Sequence, residues 1–185
     1  MSRPPNAQLT HIGFLVRDVD AMISFYTRVI GLALTDRGPY RAGGEIIFMS
    51  RSPEEHHQVV FVTGRSDSSH VSILNQISFH VDTLEDLRTF YATLVAEKVR
   101  DLAPRNHGNA WSIYFLDPDG NRVELYTPSP WYVAQPFGQD LDMTEPVATI
   151  MEKTEAMIRD NPTLSSRDDW AGRLASTLVS TLKVD

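Results

Sequence analysis

The side chains in this sequence that could carry out chemistry are imidazoles and carboxylates. The chain has six histidines and no cysteine, which excludes disulfides, thiolate metal sites and cysteine nucleophiles. His11 opens one alternating apolar run, and Glu124 lies in another, where Val123 and Leu125 point to the opposite face. Either residue alone is more often structural, but the two together favour a functional site, since histidine near neutral pH binds metals or shuttles protons.

An internal repeat predicts the elements that position these two residues. Residues 11–36 and 76–101, which are 65 positions apart, both begin with a strand-like alternation and continue with apolar residues at helical spacing. Asp18 and Thr83 are placed to cap the two helices. Identical residues at matching positions are Ile12 and Ile77, Phe14 and Phe79, Val16 and Val81, Phe25 and Phe90, Tyr26 and Tyr91, and Asp36 and Asp101.

Further strand-like runs follow each helix, at residues 45–50 and 58–63 in the first copy and 111–116 and 122–127 in the second. Each half is therefore predicted to be a strand–helix–strand–strand–strand unit, or βαβββ module. Neither half can bury both its helix and its sheet alone, so we expect the modules to share one core. The predicted modules span residues 8–66 and 73–135, and the predicted fold class is α+β.

Residues 140–185 depart from the repeat and are predicted to form two amphipathic helices. The first begins behind Thr144 and Pro146, and Ser165 or Ser166 could cap the second. This extension either packs on the modules or contacts a second subunit, and its two apolar stripes favour the subunit role. The glycine-rich segment 38–44 lacks the spacing of a phosphate-binding loop, so we expect a flexible loop or lid there.

Composition narrows the class of protein. The chain has 185 residues with 17 Lys and Arg against 24 Asp and Glu, a formal net charge of −7, which disfavours binding to nucleic-acid backbones. No apolar run approaches the roughly 18 residues of a membrane helix, and residues 1–10 show no signal region. We therefore expect a cytoplasmic globular protein with neither nucleic-acid nor membrane partners.

At this point the motifs resemble a known family. The paired modules, with His11-Ile-Gly-Phe14 at the start and Asp117-Pro-Asp-Gly-Asn-Arg-Val-Glu124 near the end, are similar to the vicinal oxygen chelate superfamily. That superfamily includes glyoxalase I, fosfomycin-resistance proteins, bleomycin-binding proteins and type I extradiol dioxygenases. The resemblance covers roughly residues 8–135 and implies one curved, barrel-like mixed sheet built from both modules.

Within the superfamily, the sequence most resembles small extradiol dioxygenases of the biphenyl-2,3-diol type. A His-His pair ending at His57 precedes a strand, Tyr114 lies ten residues before Glu124, and His107 lies near the place of a further pocket histidine. The resemblance implies that His11 and Glu124 are metal ligands. It also implies that His57 is the proton shuttle and that Tyr114 donates a hydrogen bond to the substrate.

One position departs from the dioxygenase pattern, because Gln76 stands where those enzymes place a second ligand histidine. His80 is about 13 Å further along the strand and too far away to replace it. Three alternatives follow. Gln76 binds the metal through its amide oxygen, or His57 becomes a ligand with Gln76 as the fourth, or the metal is lost and the pocket only binds.

These alternatives correspond to different functions. The leading hypothesis is an Fe(II)-dependent dioxygenase that opens a catechol-like aromatic ring with dioxygen, and we expect it to form a homodimer. A four-ligand set would suit Mn(II), Ni(II) or Zn(II) polarising a carbonyl, as in a glyoxalase I-like isomerase or lyase. A metal-free protein that binds an aromatic ligand is the third possibility.

Overall fold

The first module begins with strand β1 (Ile12–Val16) and helix α1 (Val19–Phe25). In the computed structural model, which describes residues 8–40, 43–66 and 74–181, the Asp18 carboxylate caps α1 by accepting a hydrogen bond from Ala21 N at 2.9 Å. The helix continues as a π-helical turn and stops at Gly31, whose φ of +79° suits a residue without a Cβ. The strands that follow are β2 (Ala33–Tyr40), β3 (Gly44–Ser50) and β4 (Val59–Thr63).

The second module repeats this order, with strand β5 (Ile77–His80) and helix α2 (Leu84–Ala96). The Thr83 hydroxyl caps α2 by accepting a hydrogen bond from Asp86 N at 3.0 Å. The strands that follow are β6 (Arg100–Asn106), β7 (Ala110–Leu116) and β8 (Arg122–Pro128). Both predicted helix caps are confirmed.

The strands of the two modules lie in two separate sheets within the described residues. The first has the order β1-β4-β3-β2, and the second has the order β10-β6-β7-β8-β5, where β10 (Gln139–Asp140) is an added edge strand. Strands β1 and β5 run parallel to β4 and β8, and the other pairs are antiparallel. The α+β class is confirmed, and each half has the predicted strand–helix–strand–strand–strand order. The two halves form two sheets that are not closed into a barrel, instead of the one barrel-like sheet that the resemblance implies.

A shared core joins the modules. Tyr26 is fully buried, and its ring lies 5.2 Å from that of Phe61 in the first module and 6.3 Å from that of Phe79 in the second. Its hydroxyl donates a hydrogen bond at 3.1 Å to Asp117, which follows β7. One hydrophobic cluster contains residues of both modules. As expected from the size of each half, neither module buries its apolar surface alone.

The segment predicted to be a loop or lid is largely strand, which corrects that expectation. Residues 38–40 end β2, Gly44 begins β3, and residues 41 and 42 lie outside the described part of the chain. Pro39 is tolerated because β2 is an edge strand, where one side of the backbone needs no partner.

The C-terminal extension contains the two predicted helices, and they behave differently. Helix α3 (Val147–Ile158) packs on the second module, where buried Thr154 accepts hydrogen bonds from Asn106 Nδ2 at 2.8 Å and Trp111 Nε1 at 2.9 Å. Helix α4 (Arg167–Thr181) is capped by Ser166, and its Leu174 and Leu178 are 41% and 52% exposed. The extension therefore packs on the module through its first helix and leaves apolar side chains of the second uncovered.

Two short strands connect α4 to the second module. Strand β11 (Ser165–Ser166) pairs with β9 (Trp131–Tyr132). Across the described ranges, no helix has the length and apolar character needed to cross a bilayer. The cytoplasmic location stays a prediction.

Candidate active site

Three polar side chains meet on the face of the second sheet that points away from the core. On β8, Val123 and Leu125 are buried in the core, so Glu124 points to the other side, where it is 8% exposed. The register places Tyr114 of β7 directly beside Glu124 and Ser78 of β5 on its other flank. We call the surface that carries Ser78, Tyr114 and Glu124 the open face of the second sheet.

The Glu124 carboxylate is held by two donors. Its Oε2 accepts hydrogen bonds from Ser78 Oγ at 2.5 Å and from Gln76 Nε2 at 2.7 Å. Gln76 Nε2 also donates to Ser78 Oγ at 3.0 Å, and Gln76 Oε1 accepts from Asn75 Nδ2 at 3.3 Å. An ionised carboxylate only accepts, so it turns the Gln76 amide nitrogen toward itself and the amide oxygen away.

Tyr114 and His107 form a second pair on this sheet. The Tyr114 hydroxyl lies 3.1 Å from His107 Nε2, and His107 Nδ1 lies 2.9 Å from the Phe137 carbonyl oxygen. Because a carbonyl only accepts, the proton of neutral His107 is on Nδ1, and Tyr114 donates to Nε2. Burial, followed by the adjacent Glu124 carboxylate, raises the pKa of Tyr114 to about 12. Tyr114 therefore stays protonated and remains a donor at neutral pH.

The imidazoles of the first module form a separate cluster. The His57 ring lies 4.4 Å from the His11 ring and 5.1 Å from Phe48. His57 Nδ1 is 2.9 Å from His56 Nδ1, and His56 Nε2 is 2.7 Å from Asp36 Oδ2. Desolvation lowers the pKa of His57, and the neighbouring His11 and His56 lower it further. His57 is consequently neutral at pH 7 and able to accept a proton.

A cavity of about 890 Å³ brings the two clusters to a common space. It is lined by His11 and other residues just before β1, and by residues of β5 and the position before it, including Gln76 and Ser78. The described residues provide no hydrogen bond or ring contact between the His11–His57 cluster and the Glu124–Tyr114 cluster. Each cluster therefore contributes to the lining of the cavity, the first through His11 and the second through Gln76 and Ser78, whereas His57, Tyr114 and Glu124 do not line it.

The donor types fit a divalent cation, although the described residues contain no cluster of three or more His, Cys, Asp and Glu side chains that could hold one. The predicted set of His11, Gln76 and Glu124 has only two members of those types, because its third donor is an amide. His11 and Gln76 share the cavity, and Gln76 and Glu124 share a hydrogen bond. Imidazole, amide oxygen and carboxylate are suitable donors for Fe(II), Mn(II), Ni(II) and Zn(II).

Sequence reasoning missed three participants in the site. Ser78 bonds to Glu124, Asp36 bonds to His56, and Phe48 contacts His57. Ser78 lies two positions after Gln76, the residue that precedes β5, so strand periodicity could have placed the two on one face. Asp36 of β2 is 20 residues from His56, which lies in the loop between β3 and β4, so no local pattern relates the two.

The fold and the site define a two-module α+β protein whose first module supplies imidazoles and whose second supplies a buried carboxylate. The family model of the Glyoxalase/Bleomycin resistance protein/Dioxygenase superfamily matches residues 8–125. The chain belongs to this superfamily, and the whole C-terminal extension lies outside the match.

Curated relatives have more than one activity. Biphenyl-2,3-diol 1,2-dioxygenase 3 of Rhodococcus globerulus is 29% identical over 123 residues, which are 64% of this chain and 62% of that protein. Biphenyl-2,3-diol 1,2-dioxygenase 2 of the same organism is 29% identical over 106 residues, 48% of this chain and 56% of that protein. This chain thus spans about three fifths of the length of these two relatives. A probable lactoylglutathione lyase of Synechocystis sp. is 26% identical over 124 residues, 63% and 92% of the two chains.

Solved structures share the fold at lower identity. The fosfomycin resistance protein FosX of Listeria monocytogenes, in complex with Mn(II) and sulfate, has a TM-score of 0.54 and 20% identity, covering 68% of this chain and 95% of its own. FosX of Mesorhizobium loti has a TM-score of 0.54 and 22% identity, covering 68% and 94%. These similarities show the fold alone.

Proposed function

We propose that this protein is a metal-dependent, extradiol-type dioxygenase that opens the ring of a catechol-like aromatic with dioxygen. The observation that carries the proposal is the buried Glu124 carboxylate, bonded to Gln76 of a cavity that His11 also lines. The similarity to two biphenyl-2,3-diol 1,2-dioxygenases supports the substrate class.

His11, Gln76 and Glu124 would hold the ion, for which Fe(II) is the expected metal. When bound, the ion would supply positions for both oxygens of a diol and for dioxygen. Glu124 is the only acidic side chain among these three residues, so a divalent ion held by them would keep one net positive charge. That charge would favour the deprotonated diol over the neutral diol.

His57 is the proposed base. Its pKa is lowered, so it is neutral at pH 7 and can take a proton from a substrate hydroxyl group. The contact between the His57 and His11 rings places this base beside the proposed metal ligand. Once protonated, His57 can return the proton to the opened product.

Tyr114 is the proposed hydrogen-bond donor to substrate. Its hydroxyl keeps its proton at neutral pH and can turn from His107 Nε2 to an oxygen that becomes negative during the reaction. His107 is proposed as a positioning residue, because the Phe137 carbonyl fixes the orientation of its ring.

Metal analysis and oxygen consumption test the proposal. We expect protein purified without oxygen to contain iron and to consume one dioxygen for each catechol or 2,3-dihydroxybiphenyl opened. His11→Ala and Glu124→Ala should lose both iron and turnover. Glu97→Gln, at an exposed ion pair with Arg28 on another part of the surface, is the matched control and should keep both. Undiminished turnover in either site variant would contradict the proposal.

A glyoxalase I-like isomerase is a second candidate, favoured by the position of Gln76. The amide lines the cavity and lies beside Glu124, and a half-turn of the amide group would bring its oxygen to the Glu124 side, where it could serve as a neutral ligand. Such an enzyme would use Mn(II), Ni(II) or Zn(II) and convert a hemithioacetal without oxygen. Turnover under anaerobic conditions therefore separates the two candidates, and aromatic binding that a chelator does not change would indicate a metal-free binding protein.

A homodimer remains part of the proposal. Leu174 and Leu178 are exposed on α4 one turn apart, so together they offer an apolar stripe to a second copy of the chain. We expect light scattering to give twice the chain mass, and Leu174→Glu combined with Leu178→Glu to give the mass of one chain. A natural chain that is already monomeric would contradict this expectation.

A further inference from the structure

A second cavity, of about 260 Å³, lies where the C-terminal extension meets the second module. His80 of β5 and Tyr126 of β8 form one side, with ring centroids 5.6 Å apart and the rings nearly perpendicular. Tyr132 of β9 and Trp170 of α4 form another side, stacked at 5.4 Å with 12° between their planes. Trp131 also lines it. We call this space the aromatic cavity.

The aromatic cavity lies on the same face of the sheet as Glu124. Ser78 pairs with Glu124, and the next pair on that face, two residues further along both strands, is His80 with Tyr126. The separation between the pairs is about 7 Å, from the rise of two strand residues. His80 lines both the aromatic cavity and the larger cavity. A substrate whose reactive end lies beside Glu124 can therefore extend into the aromatic cavity.

One cationic side chain lines the aromatic cavity without a partner among the described residues. Arg167 begins α4, and its backbone N donates to the Pro130 carbonyl oxygen at 2.9 Å, which fixes the start of the helix. Its guanidinium forms no hydrogen bond or ion pair with another described residue. The neighbouring Asp169 is instead bonded to the Ser166 hydroxyl at 2.7 Å. A free guanidinium beside stacked rings can bind a planar carboxylate through two parallel hydrogen bonds.

We propose that the aromatic cavity binds an aryl group that carries a carboxylate, as the end of the substrate distant from the reacting ring. Its aromatic walls suit a flat ring, its volume accommodates one ring and a small substituent, and Arg167 supplies the opposite charge. The role of this group in a substrate rests on the proposed function, whereas its binding requires neither metal nor oxygen. Trp131, Tyr132, Arg167 and Trp170 all lie beyond the residues that the family model matches. The preference for a carboxylate therefore depends on Arg167 of the C-terminal extension of this chain.

Binding of benzoate and benzamide to the chelator-treated full chain tests the cavity directly. The two probes share a ring and differ in charge, and the indole N–H signals of Trp131 and Trp170 report binding in nuclear magnetic resonance spectra. We expect benzoate to bind about 5-fold more tightly than benzamide, as fits one ion pair close to solvent. Arg167→Gln should remove this preference, and Arg159→Gln, an exposed arginine of the same extension that does not line the cavity, should preserve it.

A second variant tests the cavity without altering helix α4. Ala110 lines the aromatic cavity from β7, so Ala110→Leu should fill part of it and weaken both probes about 10-fold. Equal affinities for benzoate and benzamide in the natural chain would overturn the role of Arg167. Unchanged affinities in Ala110→Leu would overturn the location.

Turnover separates this proposal from the proposed function. We expect diols that carry a carboxyphenyl group to be opened with a higher kcat/KM than their phenyl analogues. Arg167→Gln should reduce the ratio of these two kcat/KM values about 5-fold. Benzoate binding that depends on Arg167 in a protein that opens no diol would support the cavity and reject the dioxygenase. Diol opening with a ratio of kcat/KM values that Arg167→Gln does not change would reject the role of the aromatic cavity in substrate selection and would leave the dioxygenase proposal unaffected.

Discussion

The substitution Glu124→Gln removes the charge at the centre of the candidate site and keeps the size of the side chain. Glu124 Oε2 accepts from Ser78 and Gln76, and the amide oxygen of a glutamine in its place can accept the same two bonds. We therefore expect the free energy of unfolding to change by about 1 kcal/mol or less, because both hydrogen bonds are retained and only the charge of their acceptor is lost. The effect of the substitution should appear in the chemistry of the site instead.

The magnitude follows from Tyr114. Its pKa of about 12 lies above the ordinary value of 10.0, through burial first and then through the adjacent Glu124 carboxylate. Loss of the charge should lower the pKa of Tyr114 by about one unit or less, because Glu124 is the smaller cause and solvent screens charges around a partly exposed phenol. The pKa should stay above 10, because the burial of the phenol is unchanged.

Carbon-13 labelling of the tyrosine ring carbon that bears oxygen allows each phenol to be titrated separately, and Tyr114→Phe identifies the signal of Tyr114.

Manganese affinity, measured by electron paramagnetic resonance at pH 7.5, gives an independent readout. It should fall at least about 10-fold in Glu124→Gln, the size of effect that changes around a metal site commonly have on metal affinity. Glu97→Gln should change neither value, because Glu97 pairs with Arg28 elsewhere on the surface. A Tyr114 pKa that is unchanged or higher in Glu124→Gln would refute the placement of the carboxylate beside the phenol. An unchanged manganese affinity would refute the ligand role.

Three further predictions address the remaining residues. Gln76→His supplies the imidazole that the dioxygenase pattern expects, and it should raise the affinity for Fe(II) about 10-fold, measured in competition with a chelator. Weaker Fe(II) binding would show that the Gln76 amide serves chiefly to hold the Glu124 carboxylate. Because the pKa of His57 is lowered, its neutral form persists below pH 6.5. We therefore expect kcat/KM to fall only as the pH drops through that lowered pKa, and we expect His57→Gln to remove this fall from the pH profile of kcat/KM. Thr154→Val leaves two buried donors without an acceptor and should lower the free energy of unfolding in urea by about 2–4 kcal/mol. A decrease of less than about 1 kcal/mol would contradict the role of Thr154 in anchoring α3.

The sequence repeat predicted more than the order of the elements. Its offset of 65 residues relates Gly13 to Ser78, and the two residues occupy equivalent places, since Gly13 pairs with Val60 of β4 and Ser78 pairs with Glu124 of β8. The caps at Asp18 and Thr83 were predictable because a cap depends on residues only three positions apart. Local rules therefore predicted the modules and the face on which Glu124 lies.

Features that depend on distant pairing were not predictable from local rules. The bond from Ser78 to Glu124 joins residues 46 positions apart, and a lone serine gives no chemical signal in a sequence. The strand through Gly38 and Pro39 was missed because both residues usually interrupt strands, and only the edge position of β2 makes them acceptable. The separation of the two sheets likewise depends on the packing between modules, which no local pattern encodes.

The equivalence of the two modules explains how the candidate site obtains its charge. Val60 of the first module occupies the position that Glu124 has in the second, so the repeat places one carboxylate where full symmetry would place two. Two carboxylates facing one cavity would repel each other, and one of them would tend to be protonated. The first module instead supplies the imidazole rings of His11 and His57, whose centroids lie 4.4 Å apart. If the site holds a divalent ion, this division would leave one uncompensated positive charge, which would favour transfer of a proton from a diol to His57. The absence of a carboxylate at Val60 thus fits the proposed reaction.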